Sequence, residues 1–188
     1  AGAGTNNIPV DKMSDRGIPV FNAPGANANA VKELVIAGML MASRNIAQAW
    51  DYARNLEGDD AKISKDVEAG KKKYVGFELP GRTLGVVGLG AIGVQIANAA
   101  IALGMKVIGF DPSVTIQSAW KLSSDAQRAN SIDELLSKAD FITFHVPLID
   151  ATRNMINAER LQRMKKGVVI LNFARDGIVD DAAVMAGL

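Results

Sequence analysis

One glycine-rich run, "TLGVVGLGAIGVQIA" at residues 83–97, constrains the fold of this chain more than any other segment. It carries Gly88, Gly90 and Gly93 in the spacing G-x-G-x-x-G, after an apolar strand pattern and before an apolar helix pattern. In this context the first glycine permits a tight turn, the second lets a pyrophosphate approach the backbone, and the third lets the helix pack against the strand. The run therefore predicts a dinucleotide site at a helix N-terminus. The alternative is a strand–helix turn that binds nothing.

The rest of the chain alternates between strand and helix patterns. Three further apolar runs predict strands: "KVIGF" at 106–110, "FITFH" at 141–145 and "VVILN" at 168–172. Apolar residues at helical spacing predict helices between them: 92–103, 131–139 and 157–164. Ser131 and Glu134 fit a capping box, and Asp180 or Asp181 can cap a last helix. This alternation predicts an α/β fold, a Rossmann-type doubly wound parallel sheet with right-handed crossovers.

The first 80 residues are less regular. We expect a short strand at 20–22, one long helix at 30–57, a short polar helix to about Glu68 and a boundary at 74–80. The chain opens with "AGAGTNNIP" and no initiator methionine. A complete dinucleotide fold usually has about six strands, more than the apolar runs supply. We therefore expect the domain to be truncated at both ends.

The composition excludes several classes of protein. The 188 residues carry 21 Lys and Arg against 20 Asp and Glu, and a net charge of +1 argues against a nucleic-acid or membrane-surface partner. There is no cysteine and only one histidine, His145, so neither a disulfide framework nor a thiolate or His-rich metal site is expected. No apolar run reaches the length of a membrane helix, and no signal peptide is visible. We expect a cytoplasmic protein without a bound metal.

Asp111 predicts which dinucleotide binds. It follows the second strand and lies 18 residues after Gly93, close to the expected position of a carboxylate that accepts hydrogen bonds from ribose hydroxyls. A carboxylate would repel a 2′-phosphate, and Pro112 rather than an arginine follows it. The sequence therefore favours NAD over NADP. The alternative is an aspartate that only caps a turn.

The carboxyl ends of the predicted strands define one crevice, because ligands of open parallel sheets bind there. Arg175 follows the last of these strands, and its guanidinium can bind a carboxylate with two hydrogen bonds and polarise an adjacent carbonyl. The alternative is a salt bridge to Asp176, Asp180 or Asp181. His145 follows the third strand, where we expect it to shape the cofactor loop, or to be a plain hydrogen-bonded histidine, rather than to act as an acid–base catalyst.

As a set, these motifs resemble the D-isomer-specific 2-hydroxyacid dehydrogenases over nearly the whole chain. The resemblance rests on "AGAGTNNIPV", "NAPGANANAVKELVIAGML", "LPGRTLGVVGLGAIG", "VIGFDP", "ADFITFHVPL" and "KKGVVILNFARDGIVDD". It implies a remnant of the substrate domain at 1–24 and an NAD-binding domain at 25–188, with dimer formation through the 30–57 helix.

The resemblance also implies site residues. Arg175 matches the catalytic, substrate-binding arginine. The cofactor-binding residues are Gly88, Gly90, Ala91, Ile92, Gly93, Asp111, His145, Val146, Pro147, Phe173, Ala174 and Arg175. The substrate-binding residues are Ala3, Gly4, Asn27 and Arg175. The implied activity is NAD-dependent oxidation of a small 2-hydroxy acid, for which we expect a phosphorylated substrate.

Two departures from the family pattern are visible. Asp176 replaces a common glycine, and Ala91 replaces a frequently larger polar residue. The family's histidine and glutamate, which move the proton, are expected beyond Leu188, and His145 does not match that histidine. We therefore expect this chain to bind the cofactor but to turn over little. Alternatives are a dehydrogenase acting on an unphosphorylated acid and a non-catalytic NAD-sensing protein; an NADP-linked reductase conflicts with Asp111.

Overall fold

The computed structural model describes residues 4–5 and 7–188. Ala3, one of the expected substrate-binding residues, lies outside this part of the chain. The described helices are α1 (Val10–Ser14), α2 (Ala28–Arg44), α3 (Ile46–Arg54), α4 (Asp60–Gly70), α5 (Gly93–Ala102), α6 (Ile116–Lys121), α7 (Ile132–Lys138), α8 (Ala158–Leu161) and α9 (Asp181–Gly187), with a 3-10 turn at Lys71–Tyr74. The strands are β1 (Thr83–Val87), β2 (Lys106–Phe110), β3 (Gln127–Arg128), β4 (Phe141–Phe144) and β5 (Val169–Leu171).

Within the described residues, these strands form one parallel sheet in the order β3-β2-β1-β4-β5. The chain runs outward from β1 through β2 to β3, and then returns to place β4 and β5 on the other side of β1. The order therefore reverses between β1 and β4, and ligands of doubly wound folds bind at that reversal. The predicted parallel α/β sheet is confirmed.

Two apolar layers cover the sheet. On one face, buried Val35 and Met39 of α2 and Ile96 of α5 pack with β1 and β4. On the other face, Leu135 and Leu136 of α7 pack with residues of β1, β2 and β4. Since both faces are covered, the central strands consist of nearly continuous apolar runs, which is why they were predictable.

The N-terminal third departs from the sequence expectations. The helix expected at 30–57 is divided at Asn45, which adopts a left-handed conformation with φ 51° and ends α2 before α3 begins. Asparagine tolerates this conformation at a helix end. The prediction of a strand at 20–22 is wrong, because this segment pairs with no strand in the described part of the chain and Phe21 is 86% exposed.

The capping predictions are largely confirmed. The Ser131 hydroxyl accepts a hydrogen bond from the Glu134 N–H at 3.1 Å. The Glu134 carboxylate accepts a hydrogen bond from the N–H of Asn130 at 2.8 Å. In a capping box this donor would be the N–H of the N-cap residue, Ser131, one position later. Asp180, rather than Asp181, caps α9. In the described residues no helix is long and apolar enough to cross a membrane.

Candidate functional site

The glycine turn between β1 and α5 is built by close backbone contacts. A Cβ on Gly93 would lie 1.9 Å from the Gly88 carbonyl oxygen, and a Cβ on Gly88 would lie 2.6 Å from the His145 carbonyl oxygen. Gly88 also has a φ of 93°, which disfavours other residues. By contrast, a Cβ on Gly90 would meet no atom of residues 4–5 and 7–188 within 4 Å. Gly88 and Gly93 are therefore required by the turn itself, whereas the space beside Gly90 is open to a ligand.

The N-terminus of α5 faces this open space without a side-chain cap. Ile92 occupies the N-cap position and makes no capping hydrogen bond. Free amides and the positive end of a helix dipole are what a pyrophosphate requires. The turn therefore fits a dinucleotide. Gly88 and Gly93 allow the close backbone contacts of the turn, Gly90 leaves space for a pyrophosphate, and the first amides of α5 can donate hydrogen bonds to it.

Asp111 connects the end of β2 to the glycine turn. Its carboxylate accepts a hydrogen bond from the N–H of Leu89 at 2.8 Å and another from the N–H of Ser113, also at 2.8 Å. A carboxylate offers about four acceptor positions, so capacity remains for ribose hydroxyls. Asp111 thus both caps the turn after β2 and holds the glycine loop beside its own carboxylate.

The loop after β4 packs directly on the glycine turn. The N–H of His145 donates to the Val87 carbonyl at 2.7 Å, and a Cβ on Gly88 would lie 2.9 Å from Val146 Cγ1. The Thr152 hydroxyl donates to the Pro147 carbonyl at 2.6 Å. The sequence does not indicate Thr152, because a single buried threonine leaves no periodic signal. The structure therefore brings His145 and Val146 together with Gly88, and Thr152 holds Pro147 next along the same loop.

The His145 side chain is tied into this loop. Its Nε2 lies 2.8 Å from the hydroxyl of the buried Thr143, and burial lowers its pKa from 6.5 to about 4. The ring is therefore neutral at physiological pH. A half-buried, neutral imidazole that is hydrogen-bonded to Thr143 suits a structural role beside the turn better than proton exchange with a substrate.

The lowered pKa of His145 makes the stability of the fold depend on pH. Since the folded pKa lies below the ordinary value, this group's contribution is fully present above pH 6.5 and is lost as the pH falls towards 4. Between pH 7 and pH 5 the wild type should lose about 2 kcal/mol of unfolding free energy that His145→Gln, which cannot titrate, retains. Urea unfolding at both pH values measures this difference; parallel losses in the two proteins would contradict it.

Arg175 lies in an exposed loop that begins directly after β5. The Asn172 side chain organises this loop: its oxygen accepts from the N–H of Ala174 at 3.2 Å, and its amide donates to the Arg175 carbonyl at 2.9 Å. The guanidinium of Arg175 donates from Nη1 to the Ala174 carbonyl at 2.7 Å. The sequence had indicated Asn172 only as a strand end; a polar amide directly after a buried strand was the available signal.

The guanidinium of Arg175 forms no ion pair within residues 4–5 and 7–188. The alternative of a salt bridge to Asp176, Asp180 or Asp181 is therefore not found, and Asp180 instead accepts a hydrogen bond from the N–H of Ala183 at 3.1 Å. Four of the five guanidinium N–H donors stay available for a planar anion such as a carboxylate.

Two of the expected substrate-binding residues, Gly4 and Asn27, lie in the segment before α2 and at its start. Asn27 is exposed at the N-terminus of α2, and the preceding turn lies beside the glycine loop, since a Cβ on Gly25 would be 3.5 Å from Ala91 Cβ. Gly4 is exposed, and among the described residues no hydrogen bond joins it to the strand ends. In the same part of the chain, no three His, Asp or Glu side chains converge as metal ligands would.

A reversing parallel sheet, a glycine turn and a carboxylate after β2 define a dinucleotide-binding domain of the Rossmann type. Residues 36–188 match the family model described as "D-isomer specific 2-hydroxyacid dehydrogenase, NAD binding domain". The chain belongs to this family, and its cofactor is NAD. The family, the fold class and the cofactor expected from the sequence are thereby confirmed.

Proteins of several activities are similar to this chain. D-3-phosphoglycerate dehydrogenase of Methanocaldococcus jannaschii is 41% identical over the whole chain, which spans 33% of that relative. Hydroxypyruvate reductase of Thermotoga maritima is 40% identical over 98% of the chain and 55% of that relative. The apo structure of D-lactate dehydrogenase from Escherichia coli has a TM-score of 0.82 and is 28% identical over 99% of this chain and 54% of that one. The chain thus spans only a third to about half of these proteins.

Proposed function

We propose that this chain is the cofactor-binding part of a D-3-phosphoglycerate dehydrogenase, which oxidises C2 of 3-phosphoglycerate to 3-phosphohydroxypyruvate in serine biosynthesis. The observation that carries the proposal is the whole-chain similarity to several D-3-phosphoglycerate dehydrogenases at 39–41% identity. The hydroxypyruvate reductase of Thermotoga maritima is 40% identical over 98% of the chain. That enzyme class is the second candidate.

The residues of the crevice would divide the work as follows. The amides at the start of α5 hold the pyrophosphate, and Asp111 holds the adenosine ribose. NAD, when bound, supplies the acceptor for the hydride. Arg175 binds the substrate carboxylate and stabilises negative charge on the C2 oxygen. His145 is half-buried and its Nε2 already lies 2.8 Å from the Thr143 hydroxyl, so the hydroxyl proton would go to another base. The family resemblance implies a histidine–glutamate pair outside this chain for that role.

Substrate assays on the complete gene product that contains this chain test the proposal. We expect kcat/KM for 3-phosphohydroxypyruvate to exceed that for hydroxypyruvate or pyruvate by about a hundredfold or more, since a site built to bind a charged group rejects analogues that lack it. The 188-residue chain alone should bind NADH and turn over little. Equal or better activity on hydroxypyruvate would favour the second candidate.

Asp111→Asn tests the role of the carboxylate in cofactor choice. The asparagine side chain has one acceptor oxygen, so either Leu89 or Ser113 loses its hydrogen-bond partner, and the charge that repels a 2′-phosphate disappears. NADH affinity should fall about tenfold, and the preference for NADH over NADPH should narrow. Fluorescence titration with both cofactors measures this, with the exposed Asp125→Asn as the matched control. An unchanged preference would contradict the assignment.

An apolar surface on α2 and α3 supports the expected dimer. Leu34, Met41, Ile46 and Trp50 are exposed there, by 47–61%. Monomeric proteins rarely expose large contiguous apolar patches. We propose that a second copy of this chain covers the exposed apolar side chains of α2 and α3. Met41→Lys should convert a dimer into a monomer in sedimentation, whereas Met185→Lys on α9 should not. A monomeric wild-type chain would assign the surface to the rest of a longer protein instead.

A further inference from the structure

A glycine inside α2 lies directly against the active-site end of β5. A Cβ on Gly38 would be 3.2 Å from Leu171 Cδ2, and 3.3 Å and 3.4 Å from two ring atoms of Phe173. The first two distances are shorter than those of ordinary van der Waals contacts of a Cβ, and the third lies at their lower limit. An alanine at position 38 would therefore require Leu171, Phe173 or the helix to shift by a few tenths of an ångström.

The backbone does not require glycine at this position. Gly38 lies in the interior of a 17-residue helix and has no positive φ. Glycine in a helix interior is about 1 kcal/mol less favourable than alanine. The missing side chain is therefore explained by the space that Phe173 and Leu171 occupy rather than by local conformation.

Phe173 lies on the side of the crevice that the second nucleoside of the cofactor must occupy. With its adenosine ribose at Asp111 after β2 and its pyrophosphate at the glycine turn after β1, a dinucleotide must extend over the ends of β4 and β5. Phe173 follows β5 by two residues, precedes Arg175 by two, and is 38% exposed. Its ring is thus partly packed on α2 and partly open at this edge.

We propose that Gly38 is a positioning residue: it seats the Phe173 ring on α2 and thereby sets the nicotinamide end of the site and the approach to Arg175. The small residue on the helix and the large residue on the loop form a size-complementary pair. The inference rests on the cofactor-binding part of the proposed function and extends the site to the interior of α2.

Gly38→Ala tests this pair in the 188-residue chain, with NADH and ADP-ribose as separate probes. ADP-ribose carries the adenosine and the pyrophosphate but no nicotinamide. We expect NADH affinity to fall about fivefold while ADP-ribose affinity changes by less than about twofold, a difference that general destabilisation cannot produce. The thermal midpoint without ligand should be nearly unchanged, because the helix-propensity gain offsets the tighter packing. Ala37→Ser, at the exposed neighbouring position of α2, is the matched control.

A second variant decides whether Phe173 transmits the effect. In a Phe173→Leu background, which removes ring atoms from the contact, Gly38→Ala should change NADH affinity by less than about twofold. If Gly38→Ala alone fails to fold, the double variant must fold and bind both probes. Equal losses for NADH and ADP-ribose, no loss for either, or an effect that persists without the ring would overturn the inference. Wild-type chain that does not bind NADH would overturn the cofactor site as well, so the two failures are distinguishable.

Discussion

Replacing Arg175 with alanine in the complete gene product is expected to lower kcat/KM for the 2-hydroxy acid by about a thousandfold. The guanidinium lies at the carboxyl end of β5 with four N–H donors unused by the described residues, and its loop is held by Asn172. A planar group with paired donors can bind a carboxylate and stabilise charge that develops on the neighbouring oxygen. Most of the loss should appear in the chemical step, and NADH affinity should change by less than about threefold.

One further variant separates charge from geometry at this position, and a second variant elsewhere serves as the control. Arg175→Lys keeps the positive charge but lacks the planar guanidinium that can donate two parallel hydrogen bonds. We expect kcat/KM still to fall about a hundredfold. Arg153→Ala is the matched control, because Arg153 is also exposed and also forms no ion pair within the described residues. Steady-state kinetics and an NADH titration of each variant measure the effects. A loss at Arg175→Ala no larger than that at Arg153→Ala would remove Arg175 from the catalytic site.

The sheet was predictable from sequence where burial on both faces imposes a continuous apolar run. β1, β2, β4 and β5 all lie inside such runs. β3 was missed because Gln127 and Arg128 are exposed, and only their pairing with Ile108 and Gly109 makes them a strand. An edge strand of two polar residues leaves no periodic signal.

The break at Asn45 illustrates a tertiary effect that periodicity does not contain. The N–H of Phe77 donates to the Ser43 carbonyl at 2.8 Å, so a segment more than 30 residues away occupies the end of α2. A Cβ on Gly76 would lie 2.1 Å from the same carbonyl oxygen, which shows how closely the two segments approach. The apolar pattern at 30–57 continues through the break, and the helix does not.

Some residues of the candidate site were predictable from sequence spacing, and others were not. Spacing alone was sufficient to indicate Gly88, Gly93 and Asp111, because the turn between a strand and a helix fixes their relative positions. The hydrogen bonds of Asn172 and Thr152 depend on loop conformations that short polar segments do not specify. The contact between Gly38 and Phe173 joins residues 135 positions apart, and only the packed structure reveals it.

Three Gly→Ala variants, two in the glycine turn and one on α9, are expected to have three different outcomes. Gly93→Ala places a Cβ 1.9 Å from the Gly88 carbonyl oxygen, a backbone atom that cannot rotate away. The turn must open, and we expect a loss of about 3 kcal/mol or more in unfolding free energy. NADH binding should disappear with it, because the amides at the start of α5 lose their arrangement.

Gly90→Ala should separate ligand binding from stability. Its Cβ would meet no atom of the described residues within 4 Å, and Gly90 has no positive φ. The unfolding free energy without ligand should therefore stay within about 0.5 kcal/mol of wild type. The open space beside Gly90 is where a pyrophosphate approaches the backbone, and a methyl group there should weaken NADH binding more than about tenfold. Gly187→Ala, equally open but distant on α9, should change neither quantity. Urea unfolding and NADH titration of the three variants measure the unfolding free energy and the NADH affinity.

If Gly90→Ala binds NADH as tightly as the wild type, the pyrophosphate does not cross the turn at this glycine. The ligand must then approach α5 from another side, because the clash at Gly93 fixes the turn whether or not a cofactor is bound.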